Sequence, residues 1–203
     1  MNTNTSLRKT TSLLHLAALG CATALLSQSA HAAFHLWVIQ ELFTNLDGSQ
    51  QFIELFTSSG SQNFVGGQQI QVVQQGTGTT HTFTIPSNLS SSSTGGHTFL
   101  VATASLQAAG GPAPDYPTLP TNFLFANGGT INFFGANTGL VYTALPTDGT
   151  TSHAIPGNTN QTNSPKNFAG ATSSVGPVPE PTTWALLGMG GVGLCVLMRR
   201  RAA

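Results

Sequence analysis

Two glutamates in matching apolar settings, Gln40-Glu41-Leu42-Phe43 and Ile53-Glu54-Leu55-Phe56, are the residues of this chain best placed to do chemistry. Paired carboxylates can hold a divalent cation, share a proton, or divide the acid and nucleophile roles of a retaining glycosidase. The remaining candidates are thinner. His35, His81, His97 and His153 are dispersed, with no HExxH pair and no GxSxG elbow, so each reads as a sheet or loop residue rather than a ligand. Asn45, Asp47, Gly48 and Glu54 fall at positions three, five, six and twelve of an EF-hand loop, but Phe43 stands at position one, where an aspartate is needed. The glycines of Gly188-Met189-Gly190-Gly191-Val192-Gly193 match a dinucleotide fingerprint in letters only, because no strand precedes them. Cys21 and Cys195 both lie in apolar terminal runs, which leaves the segment between them without a disulfide or a thiolate site. No catalytic residue, cofactor or metal ligand set is assigned.

The elements that must carry Glu41 and Glu54 are two strands of a hairpin. With Asp47-Gly48 as the turn, Phe43 opposes Phe52, Leu42 opposes Ile53, and Glu41 opposes Glu54. Strict alternation then puts both carboxylates on a face shared with Trp37, Ile39, Phe43, Phe52 and Phe56. Like charges directly opposed destabilise a sheet, and burial worsens the conflict. Relief requires a bound cation at this candidate cation site, a shared proton, or side chains splayed into solvent. The last is the commonest arrangement on sheets.

Short apolar runs separated by turn residues continue along the chain. Candidate strands are Phe34 to Phe43, Gln51 to Phe56, Gln69 to Val73, His81 to Ile85, Thr98 to Ala102, Phe123 to Ala126, Thr130 to Phe134 and Leu140 to Ala144, with turns at Gly66-Gly67, Gly95-Gly96 and Asn127-Gly128-Gly129. Capped helical periodicity is absent, so the expectation is an all-β fold, a two-sheet sandwich or partly closed barrel. A Pro-rich loop over Ala104 to Thr121 reads as a stiff connection with Tyr116 packed beneath it. Residues 155–177, made of Asn, Thr, Ser, Gly and Pro around a single Phe168, read as a flexible linker.

The two ends address the protein. Arg8 and Lys9, the apolar run Leu13 to Leu26 and the ending Ala30-His31-Ala32 read as a signal peptide over 1–32, cut between Ala32 and Ala33. Leu19-Gly20-Cys21 is a poor lipobox, since Ala18 replaces an aliphatic residue and the apolar run continues past the cysteine. At the other end, Pro179 and Pro181 keep Val178-Pro179-Glu180-Pro181 extended and outside the helix expected over 182–198. That helix spans ~25 Å, a little short of a hydrocarbon core of about 30 Å, and Arg199, Arg200 and Arg201 mark its cytoplasmic side. Signature, apolar helix and basic stop, in this order over 178–203, resemble the PEP-CTERM sorting tail of Gram-negative envelope proteins. The resemblance implies recognition by an exosortase, a membrane-embedded enzyme, with cleavage near Pro179 to Pro181. It also implies a precursor held transiently in the inner membrane and a product in the cell envelope or outside the cell, in an exopolysaccharide setting.

Removing both ends exposes the charge of the exported part. Residues 33–178 keep Lys166 alone against Glu41, Asp47, Glu54, Asp115 and Asp148, a net charge of −4, so nucleic acid is an unsuitable partner. Trp37-Val38-Ile39-Gln40-Glu41-Leu42-Phe43, the Asp47-Gly48 turn and Gln51-Phe52-Ile53-Glu54-Leu55-Phe56 together resemble the opening of a lamin-tail-like domain. That resemblance implies an immunoglobulin-like β sandwich, placed over 33–154, and a non-enzymatic structural or binding role; extracellular polysaccharide enters as a partner from the setting that the sorting tail implies, and the many amide and hydroxyl side chains can hydrogen-bond glycans. The competing expectation is a secreted glycosidase-like hydrolase using Glu41 and Glu54, which requires an open cleft around the pair.

Overall fold

The computed structural model describes residues 34–176. The signal peptide with Ala30, Ala32 and Ala33, and the tail with Val178 to Pro181, the 182–198 helix and Arg199 to Arg201, lie outside the described residues. Nine antiparallel strands form two sheets: β1 (Val38–Thr44), β2 (Gln51–Thr57), β3 (Gln69–Gln74), β4 (Thr80–Thr84), β5 (His97–Ala102), β6 (Gly129–Phe133), β7 (Asn137–Tyr142), β8 (Thr151–Ala154) and β9 (Thr159–Thr162). One sheet runs β5-β2-β1-β8-β9 and the other β4-β3-β6-β7, and the two make a β sandwich. Apolar residues of both inner faces fill the space between them, including Trp37, Ile39, Leu42, Ile53, Leu55, Phe99, Val72, Ile131 and Phe133.

A second, smaller apolar cluster lies on the outer face of the larger sheet: Phe43, Phe52, Leu100, Ala102, Leu106 and Val175. Covering both faces explains why β2, Gln-Phe-Ile-Glu-Leu-Phe-Thr, is buried along almost its whole length instead of at alternate residues. The hairpin register is the expected one, pairing Glu41 with Glu54, Leu42 with Ile53 and Phe43 with Phe52. The face assignment is corrected. A bulge between Ile39 and Glu41 leaves Gln40 as an extra residue, so Trp37 and Ile39 turn into the inter-sheet core while Glu41 stays outside with Phe43. The Gln40 carbonyl is then free to accept the Ile155 N–H at 2.7 Å.

Two other expectations are revised. Phe123 to Ala126 form no strand. Instead the Gln51 side-chain amide accepts from Leu124 N–H at 3.0 Å and donates to Leu124 C=O at 3.0 Å, standing in for a neighbouring peptide. The Ala104 to Thr121 loop lines the edge of β5, where Tyr116 exchanges hydrogen bonds with Leu100 and Ala102 and shields that edge from further pairing. Tyr116 is buried beneath it, its hydroxyl donating to Ser87 C=O at 2.8 Å. Residues 155–176, read from composition as part of a flexible linker, are built into the sandwich: β9 pairs with β8, and residues 163–176 cross the outer face as a strap. Composition misleads there because the strap is fixed by backbone donors, which every polar residue carries equally.

Candidate functional site

The strap rests on a row of carboxylates presented by three different elements. Glu41 from β1 accepts Ser164 N–H at 3.1 Å, Glu54 from β2 accepts Lys166 N–H at 2.6 Å, and Asp115 from the loop edging β5 accepts Phe168 N–H at 2.9 Å. Donors at 164, 166 and 168 are alternate N–H groups of the strap's first arm, which then turns at residues 168–169 and folds back so that Lys166 bridges Thr172. The carboxylates therefore do for the strap what a neighbouring strand's carbonyls would do. Asp115 uses the same oxygen to accept Leu100 N–H at 2.8 Å, tying strap and sheet edge together. The carbonyls of the same residues are held as well: Thr98 donates to Lys166 C=O at 2.9 Å and the His97 ring meets Phe168 C=O at 3.1 Å.

Asn163 and Asn167 lock the strap's own shape. Asn163 donates to Thr150 C=O at 2.7 Å and Val175 C=O at 2.9 Å and accepts Val175 N–H at 2.6 Å. Asn167 accepts Ala171 N–H and donates to Ala113 C=O, each at 2.9 Å. The strap ends where Gly176 N–H meets Ala109 C=O at 3.2 Å.

Backbone donors thus take up oxygens of the opposed glutamates, and the two side chains are not splayed into solvent. Glu41 and Glu54 are only 2% and 5% exposed. Burial pushes the Glu54 carboxyl up to about 7; the Lys166 N–H pulls it down, the Glu41 charge raises it, and the Lys166 ammonium lowers it. Burial likewise raises Asp115, against the hydrogen bonds from Leu100 and Phe168. Lys166, the one lysine or arginine among residues 33–178, thereby sits beside Glu54. Among the described residues the strap covers Glu41 and Glu54, whereas the glycosidase expectation requires an open groove around them. As a candidate cation site, the pair has its oxygens turned to backbone donors, and among the described residues no group of three or more His, Cys, Asp or Glu is gathered.

The other residues singled out stay apart. Asp47 accepts the Ser49 hydroxyl at 2.7 Å and Ser49 N–H at 3.0 Å, contacts that hold its carboxyl below the usual range; it shapes a turn and no loop ligand set. His35 meets Gly135 C=O, His81 meets Phe123 C=O, and His153 lies between Asn158 and Asn160. Sequence reasoning missed Asp115 and the whole strap. The available signal was Asp115, Phe168 and Val175, a charge and two apolar side chains standing in segments otherwise made of turn residues.

One open groove of about 410 Å³ lies at the hairpin end of the sandwich. Its lining includes Asn45, Gln74, His81, Asn122, Phe125 and Asn127, with the His81 and Phe125 rings stacked at 4.5 Å. Amides and a stacked aromatic pair suit an uncharged, hydroxyl-rich ligand.

Residues 177–201 match the family model of the PEP-CTERM protein-sorting motif. No curated protein and no solved structure matches the chain. The matched residues begin immediately after Gly176, the last described residue of the strap.

Proposed function

We infer from the motif at 177–201 that the protein is exported and that an exosortase sorts it to the cell surface. We propose that the exported product is a non-catalytic envelope or matrix protein whose sandwich serves as a structural or binding module in a polysaccharide-rich setting. The observation that carries this reading is the order of parts: a charge-poor sandwich with a closed carboxylate row runs directly into a sorting signal. The neutral groove with Phe125 and His81 supports a binding role toward hydroxyl-rich polymers. The two-sheet sandwich and the β1–β2 register are compatible with a lamin-tail-like, immunoglobulin-type fold.

Mass spectrometry of the mature protein tests the sorting part. A C-terminus near Pro179 to Pro181 is expected in cells with the exosortase, and the tail is expected to persist without it; an identical C-terminus in both removes the reading. For the module, retention of the purified product on the cells' own extracellular polysaccharide is expected to fall when His81 and Phe125 are both replaced by alanine. Equal retention of the two proteins argues against the groove.

A further inference from the structure

The docked strap leaves almost no chain between the sandwich and the place where the tail is to be cut. Gly176 is bonded to Ala109, and three residues further on stands Pro179. Three residues span at most about 10 Å, while a folded unit of this size has a radius of gyration of roughly 14 Å. An enzyme working at the membrane surface would meet the folded sandwich before it could enclose the Pro-Glu-Pro signature. If residues 163–176 leave the sheet and the bonds joining Asn163 to Val175 and Lys166 to Thr172 open with them, the tether lengthens by up to about 45 Å. That clears the domain.

The way the strap is held suits reversible release. Its grip is mostly polar: carboxylates take N–H groups at 164, 166 and 168, and Asn163 makes the three bonds that pin residues 150 and 175. Apolar anchoring comes from buried Val175 in the outer cluster, buried Pro165, and half-buried Phe168 against the main core. The inter-sheet core draws on no other strap side chain, so the strap can open without disturbing Trp37, Phe99 or Phe133.

We propose that undocking of residues 163–176 is required for exosortase processing, so that the strap is the segment the sorting enzyme needs free and its opening sets the processing rate. This rests on the sorting reading above. Pulse-chase labelling of the full chain in cells that carry the exosortase tests it with two changes. Asn163→Ala removes all three Asn163 bonds and is expected to raise the rate of conversion about ten-fold, the factor that corresponds to about 1.4 kcal/mol. A ten-residue Gly-Ser insertion between Gly176 and Pro177 supplies the tether without touching the strap. It is expected to speed conversion by itself and to abolish any further gain from Asn163→Ala. Should Asn163→Ala prove unstable, the insertion carries the test alone. Wild-type rates for the insertion would overturn the proposal. Conversion at the same rate in cells lacking the exosortase would instead strike down the sorting reading, which separates the two failures.

Discussion

Glu54 sets the pH response of this domain. Its folded-state carboxyl titrates near 7 against 4.5 when unfolded, so between these values the native state holds a proton that the unfolded chain has lost. Stability must then fall as pH rises through that window, the reverse of a salt-bridged carboxylate. The loss between pH 4.5 and pH 7 is on the order of 3 kcal/mol. Glu54→Gln keeps an acceptor for Lys166 N–H without a charge and is expected to flatten most of this slope, with stability at pH 8 raised toward the wild-type value at pH 5. Urea unfolding midpoints at the two pH values check it, and an unchanged slope would remove Glu54 as its source. Asp115→Ala deprives two backbone donors, Leu100 and Phe168, of one acceptor, and about 1–3 kcal/mol should be lost. Hydrogen exchange should quicken at residues 166–168 and stay protected in β3 and β6. The opposition of Glu41 and Glu54 was legible because it depends on one short turn. Its solution was not, because the donors lie 123 and 112 residues away in sequence and are backbone groups that no residue type announces.

Among the elements, the bulge at Gln40 decides which side chains the first strand buries. Upstream of it Trp37 and Ile39 face the inter-sheet core; downstream Leu42 continues that face and Glu41 and Phe43 take the other. Deleting Gln40 restores strict alternation and so turns Trp37 and Ile39 outward, or else drives Glu41 inward. The first outcome forfeits about 3–5 kcal/mol for the tryptophan alone, and the second drives a carboxylate into the apolar core at a cost of several kcal/mol. The deletion is expected to red-shift tryptophan emission and lower the melting temperature by more than any single substitution on the strap, whereas Gln40→Ala leaves both nearly unchanged, because Gln40 is exposed and acts through its backbone. Alternation reveals strands readily and bulges poorly, since one inserted residue alters the phase without altering composition. The same limit hid β8 and β9, whose Thr-Ser-His-Ala and Thr-Asn-Gln-Thr carry little apolar pattern and pair chiefly through their backbones. Conversely, Phe123 to Ala126 had strand composition, but the Gln51 amide took the place of the ladder.

At the scale of the whole molecule, the boundary of the folding unit follows from what covers the outer face of the larger sheet. A sandwich ending at residue 154, where the composition changes, would lack β9 and the strap. Phe43, Phe52 and Leu100 would lose Val175 from their cover, and Glu41 and Glu54 would lose the donors at 164 and 166. Each unsatisfied buried acceptor costs about 1–3 kcal/mol, and the apolar exposure adds to it. Together these reach a large fraction of the roughly 5–15 kcal/mol that holds an ordinary domain folded. Residues 33–176 are therefore expected to give a soluble protein with a single cooperative thermal transition, and residues 33–154 a protein that aggregates or melts well below it. Circular dichroism melts of the two purified segments decide the point. Equal melting temperatures would mean that the strap only lies on the sheet and contributes nothing to its folding. In that case its release would also be too easy to limit processing, so the stability comparison bears on the sorting step as well as on the fold.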